Sequence, residues 1–228
     1  MKPLCFLHRR HAARCGFSLI ELAIVFGIIS VVLGGIWMYA SNAQDSAHRQ
    51  QLAEELSTVV NDVHALYAGQ ANICGTFDQL TQHLLSQNAI PSSMMGPGAP
   101  ACTNPSGVCV ESPWGATVTN GSFAVAAGNY QVASANGSVL GTPCAAANAQ
   151  QQFTVEVRGL TVADCVNVAP QDSAANGPPG LQDVWINGNS TVNAGDPLPV
   201  PRLFATDQCT SPTANKIDFV YRLQAPTF

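Results

Sequence analysis

The chain has 228 residues, of which only 10% are charged, with 9 basic and 14 acidic side chains giving a formal net charge of -5. The first 16 residues hold Lys2, Arg9, Arg10 and Arg14 and no acid, so the remainder carries 5 basic against 14 acidic groups, about -9, which argues against a surface that binds nucleic acid directly. No phosphate-binding glycine loop or dinucleotide fingerprint occurs, and no local motif sets a serine or cysteine nucleophile beside a histidine, so nothing in the sequence points to an enzyme or a bound cofactor.

After this basic segment, residues 17–40 form a run of 24 in which Glu21 is the only charged side chain. As a helix rising about 1.5 Å per residue, the run is long enough to cross a bilayer core. The basic flank places its N-terminal side in the cytoplasm and everything after the run outside. A carboxylate inside such a segment is costly, on the order of 2.5 to 3.5 kcal/mol for Asp on insertion scales, so Glu21 reads as functional. The competing reading is a long secretory signal cut after Ala43, at Ser41-Asn42-Ala43, releasing a soluble binding protein that starts at Gln44. The apolar run is longer than such a signal requires, and that reading leaves Glu21 unexplained.

Gly16 followed by Phe17-Ser18-Leu19-Ile20-Glu21 resembles the leader junction and mature N-terminus of type IV pilin precursors and their pseudopilin relatives. The resemblance implies an α+β type IV pilin fold, with a long N-terminal α-helix, its first half transmembrane, packed on a C-terminal antiparallel β-sheet head. It implies a leader over 1–16, cleaved between Gly16 and Phe17 by a prepilin peptidase that also methylates the new amine. It implies an assembly role for Phe17 and Glu21. The cationic amine of Phe17 and the carboxylate of Glu21 on a neighbouring, slightly staggered helix would neutralise one another, fixing register more than adding strength. The implied partners are identical subunits in a helical filament, the peptidase, and the inner-membrane assembly machinery, with roles in adhesion, aggregation or conjugation. A minor pilin or secretion pseudopilin is the alternative within the family.

Within the run, Gly27, Gly34 and Gly35 allow close helix approach, and the last two are where softening would centre. Past a polar strip, Leu52, Leu56, Val59, Val60, Val63, Leu66 and Tyr67 recur at the spacing of one helical face, which extends the helix to about residue 68 as an amphipathic half, 41–68. Gly69 and Asn72 are stop signals. Residues 69–228 then make one head domain by size. Thr76-Phe77-Asp78-Gln79 is a capping box opening a helix to about Asn88, with Phe77, Leu80, Leu84 and Leu85 inward. Asn120-Gly121 signals a tight hairpin between Ala116-Thr117-Val118-Thr119 and Ser122-Phe123-Ala124-Val125, and Asn136-Gly137 a second one. Clean alternation over 153–158 and 216–223 predicts two core strands of an antiparallel sheet.

Of eight cysteines, Cys5 and Cys15 fall in the leader, leaving Cys74, Cys102, Cys109, Cys144, Cys165 and Cys209. An even six fits disulfides formed outside the cytoplasm, with 15 possible pairings. Zinc is the rival, but no CxxC pair occurs and His48, His64 and His83 are not clustered with cysteines. The strand over 153–157 running through Gly159-Leu160-Thr161 to Cys165 resembles the strand, turn and short helix of type IVb pilins. That resemblance implies a Cys165–Cys209 disulfide enclosing a D-region over 165–209. The remaining assignments are Cys102 with Cys109 and Cys74 with Cys144. Residues 95–150 depart from the simplest family pattern, and Phe17 is the commoner first residue of the type IVa group.

Overall fold

The computed structural model describes residues 19–70, 72–95, 110–114, 122–128, 150–172, 178–191 and 198–223. Its contacts divide the chain into two compact units, Met1–Gln44 and Asp45–Phe228. Helix α1, Leu19–Leu66, runs through both.

Within the first unit, residues 19–44 are helical and exposed throughout. A Cβ added at Gly27, Gly34 or Gly35 would meet nothing within 4 Å, so among the described residues nothing packs against these three positions. Ser30, the hydroxyl in its middle, donates to the Phe26 carbonyl at 2.8 Å, which satisfies it within the helix.

The second unit begins on the amphipathic half of α1. Leu52, Leu56, Val59, Val60 and Val63 are fully buried there, because their spacing keeps them on one stripe of a 3.6-residue helix. The turn after the helix holds Gly69 at φ +82°, a left-handed conformation suited to a residue without a Cβ. Helix α2, Phe77–Ser86, opens on Thr76, whose hydroxyl accepts from the Gln79 N–H while the Gln79 side chain accepts from the Thr76 N–H. Leu80 and Leu84 are fully buried, whereas Phe77 and Leu85 are only half-buried. A 3-10 turn follows at Ser92–Met94.

The sheet comprises β1 (Phe123–Ala127), β2 (Gln152–Leu160), β3 (Leu181–Ile186), β4 (Asn189–Ser190) and β5 (Asn215–Arg222), in the order β1-β2-β5-β3-β4, with every pairing antiparallel. Helix α3, Val162–Asp172, follows β2, and helix α4, Arg202–Gln208, precedes β5. The two alternating segments of the sequence are the central strands β2 and β5. Phe153, Val155 and Val157 of β2 join Ile217, Phe219 and Tyr221 of β5, Val184 and Ile186 of β3, and the buried stripe of α1 in one apolar core. Phe153 and Tyr221 stack with centroids 5.5 Å apart. The first arm of the Asn120-Gly121 hairpin and the Asn136-Gly137 turn lie outside the described residues.

Candidate assembly face and disulfide-closed loop

Among the described residues, one helix is long and apolar enough to cross a membrane, and that is α1. Residues 19–44 cover about 39 Å at 1.5 Å per residue, more than the roughly 30 Å of a hydrocarbon core. Its large apolar side chains between Leu19 and Tyr39 range from 44% exposed at Ile29 to 87% at Leu19. Glu21, exposed in the first turn, is the one charge in this stretch, at the end where the helix dipole favours an acid. Gly16 and Phe17, the expected processing residues, lie outside the described residues.

The second feature is a covalently closed loop. Cys165 in the first turn of α3 and Cys209 just after α4 form a disulfide with Cα atoms 5.9 Å apart and a sequence separation of 44. Both residues are buried. Gly159 at φ +76° lies where the β2–β5 register shifts, between Val157 and Leu160, and this bend carries the chain from strand into α3. Thr161 caps α3, its hydroxyl accepting from the Asp164 N–H at 3.2 Å and donating to the Asp164 carboxylate at 2.6 Å.

A polar cluster that the sequence did not suggest ties this loop to the sheet. Asn215, fully buried, donates to the Leu160 carbonyl at 3.0 Å and accepts from the Ser211 N–H at 2.9 Å. Asn187 donates to Asn215 Oδ1 at 3.0 Å and to the Gln208 carbonyl at 2.8 Å, and accepts from the Lys216 N–H at 2.9 Å. The end of β2, the β3–β4 turn, the end of α4 and the start of β5 therefore meet on two asparagines.

Cys74 is disulfide-bonded, while Cys102, Cys109 and Cys144 lie outside the described residues. His64 bonds the Arg222 carbonyl through Nε2 at 2.8 Å and meets the Phe153 ring edge-on at 5.5 Å, contacts that pin α1 to the sheet. Trp185 is buried and Trp114 packs against the core beside His48. Among the described residues no group of three or more His, Cys, Asp or Glu is placed to hold a metal.

The family model described as Bundlin matches residues 41–223. The chain belongs to that family. A second model, described as the prokaryotic N-terminal methylation motif, matches residues 11–37, a span that takes in Gly16, Phe17 and Glu21. Together they mark the bundlin-family chain as a type IV pilin precursor, a structural protein and not an enzyme. The major structural subunit of bundle-forming pilus from Escherichia coli O127:H6 (strain E2348/69 / EPEC) is 32% identical over 92 residues, 40% of this chain and 46% of that protein. The same subunit from Escherichia coli O111:H- matches to the same extent. The chain thus spans about half the length of the curated relatives it matches. Among solved structures, a type IV b pilin from Salmonella typhi is similar with a TM-score of 0.49 at 19% identity, covering 75% of this chain and 97% of that one. TcpA, a type IV pilin from Vibrio cholerae El Tor biotype, is similar with a TM-score of 0.45 at 14% identity, covering 76% and 98%.

Proposed function

We propose that this bundlin-family chain is a prepilin of the type IVb group, held in the bacterial inner membrane with its N-terminus in the cytoplasm. Prepilin peptidase cuts it between Gly16 and Phe17. The inner-membrane assembly machinery then polymerises it through its N-terminal helix into an extracellular pilus. The observation that carries this reading is the exposed apolar surface of residues 19–44 with the single charge of Glu21 in it. In lipid, that surface is already solvated by an apolar medium, so the hydrophobic effect does not select a partner. A desolvated carboxylate does, because a cation on a neighbouring helix offsets its cost at one stagger only. The Phe17 amine created by cleavage is that cation, supplied by a neighbouring subunit.

The test is Glu21→Gln in a strain with no wild-type copy, read by the yield of sheared filaments and by mass spectrometry of the membrane-held protein. Processed chain beginning at a methylated Phe17 should accumulate while filaments fall sharply. Filaments at the wild-type level would refute the register role of Glu21, and a mature start at Gln44 would refute the pilus reading altogether.

A further inference from the structure

The face of the sheet turned away from the α1 core carries a buried row of charge. Glu156 of β2 lies directly opposite Asp218 of β5, and Trp185 of β3 lies opposite Asp218 on its other side. Glu156 is 1% exposed and Asp218 fully buried, so neither carboxyl has water to solvate it. Two cations approach from the rim. Arg158 of β2 bonds Glu156 Oε1, and Lys216 of β5 places Nζ 2.8 Å from Glu156 Oε2 but 3.7 Å from Asp218 Oδ2. Their side chains are 29% and 25% exposed, so the cations reach solvent while the acids do not.

The distribution is unequal. Glu156 receives both cations at bonding distance, whereas neither oxygen of Asp218 has a hydrogen-bond partner. The remaining acids on packed elements are committed elsewhere: Asp183 of β3 accepts from Ser190 Oγ and the Val184 N–H, and Asp164 of α3 is bound by Thr161. Arg222 at the far end of β5 donates to Gln182, and His64 on the opposite side bonds the Arg222 carbonyl. A buried carboxylate with no donor is among the costliest arrangements a fold can hold, and two adjacent buried carboxyls resist ionising together. A proton on one of them removes both penalties and supplies the missing hydrogen bond.

We propose that Asp218 keeps its proton in the folded head and donates it to Glu156, so that the β2–β5 seam holds best in acid and loosens as that proton is drawn off. Burial, and then the charge of Glu156, hold the Asp218 carboxyl well above the usual carboxylate range, outweighing the attraction of Lys216 and Arg158. The sign follows from linkage. The unfolded chain releases this proton near pH 4 and the folded head does not, so above that pH the native state binds one more proton and stability falls as pH rises.

The test is urea unfolding of the full-length chain in non-ionic detergent across about pH 4.5 to 7, wild type against Asp218→Asn, which keeps the shape and the donor without a titrating proton. The unfolding constant of the wild type should rise about tenfold more steeply per pH unit than that of the variant, the signature of one linked proton. Equal slopes overturn the proposal. Infrared spectroscopy of the folded wild-type chain carrying carbonyl-labelled aspartate gives a readout independent of the variant's folding. A protonated-acid carbonyl band that moves with the aspartate label is expected to persist above about pH 4, where an unperturbed aspartate is ionised. Its absence overturns the proposal as well.

Discussion

Replacing Cys165 and Cys209 together with alanine opens a covalent loop whose ends are 44 residues apart in sequence and whose contents include β3, β4 and α4. In the chain-entropy treatment, a loop of that length removes about 13 cal/mol/K from the denatured ensemble, or about 4 kcal/mol at 25 °C. The native loop should survive the change. α3 and α4 remain packed, and the bonds of Asn215 and Asn187 to Leu160, Ser211 and Gln208 do not pass through the disulfide. The loss therefore falls on the denatured state, and the folded head keeps its spectrum. Urea unfolding of the full chain in detergent, followed by tryptophan fluorescence, should show a midpoint lowered by roughly 2 M, taking a slope of about 2 kcal/mol/M. The double variant is the right perturbation and reductant is not, because reductant also attacks the disulfide of Cys74. A loss below about 1 kcal/mol would refute the argument, since it would mean the denatured chain is already held as tightly as the disulfide holds it.

Leu56→Ala removes a fully buried side chain of α1 from the core and should cost about 2 to 5 kcal/mol, whereas Glu54→Ala, exposed one step round the same helix, should stay within about 0.5 kcal/mol; thermal unfolding separates them. Thr81→Val keeps the shape of a buried α2 side chain but deprives the Val125 N–H of its 2.8 Å acceptor and the Val125 carbonyl of a 3.3 Å donor. A loss of about 1 to 3 kcal/mol is expected, with faster amide exchange at Val125 as the local readout.

The long helix and the two central strands were legible because each rests on a strong local pattern. One is an apolar stripe at helical spacing, and the other two are strict alternations that put Phe153, Val155 and Val157 opposite Tyr221, Phe219 and Ile217. The same alternation does not say how far the other face is covered. It implies that Glu156 and Asp218 look outward, yet Phe153 to Val157 are buried without interruption, since burial of the second face depends on what the chain later lays over it. β3 has no alternation at all, its burial running from half-covered at Leu181 to full at Ile186. Its turn did carry a signal: Asn187-Gly188, at φ 51° and 89°, is the Asn-Gly pair that favours a two-residue hairpin, and it links β3 to β4. The seven residues of α4 follow Pro199 and Pro201 and show no helical stripe to read. The roles of Asn187 and Asn215 were out of reach for another reason. Their partners lie 28 and 55 residues away, and no local pattern encodes a bond across that distance.

How the sheet ends bears on why assembly would run through α1. An unpaired strand edge is a template for another chain, and polymerising proteins are most exposed to that hazard. Along β1 the three outward N–H groups are all taken: Phe123 donates to the Val110 carbonyl at 3.2 Å, Val125 to Thr81 Oγ1 at 2.8 Å, and Ala127 to the Gly75 carbonyl at 2.9 Å. At the opposite side β4 is only two residues long. Past it, the Val184 N–H is held by its neighbour Asp183 at 2.8 Å and the Val184 carbonyl accepts the Thr191 N–H at 2.9 Å. Among the described residues a second copy finds little free backbone on either edge to extend. Among the described residues the exposed stretch 19–44 remains, and under the proposed function close approach at Gly27, Gly34 and Gly35 would supply packing and the charge of Glu21 would supply register. If the proposed assembly through 19–44 is right, the bonds already made along the described strand edges would keep crowded subunits from pairing through the sheet instead.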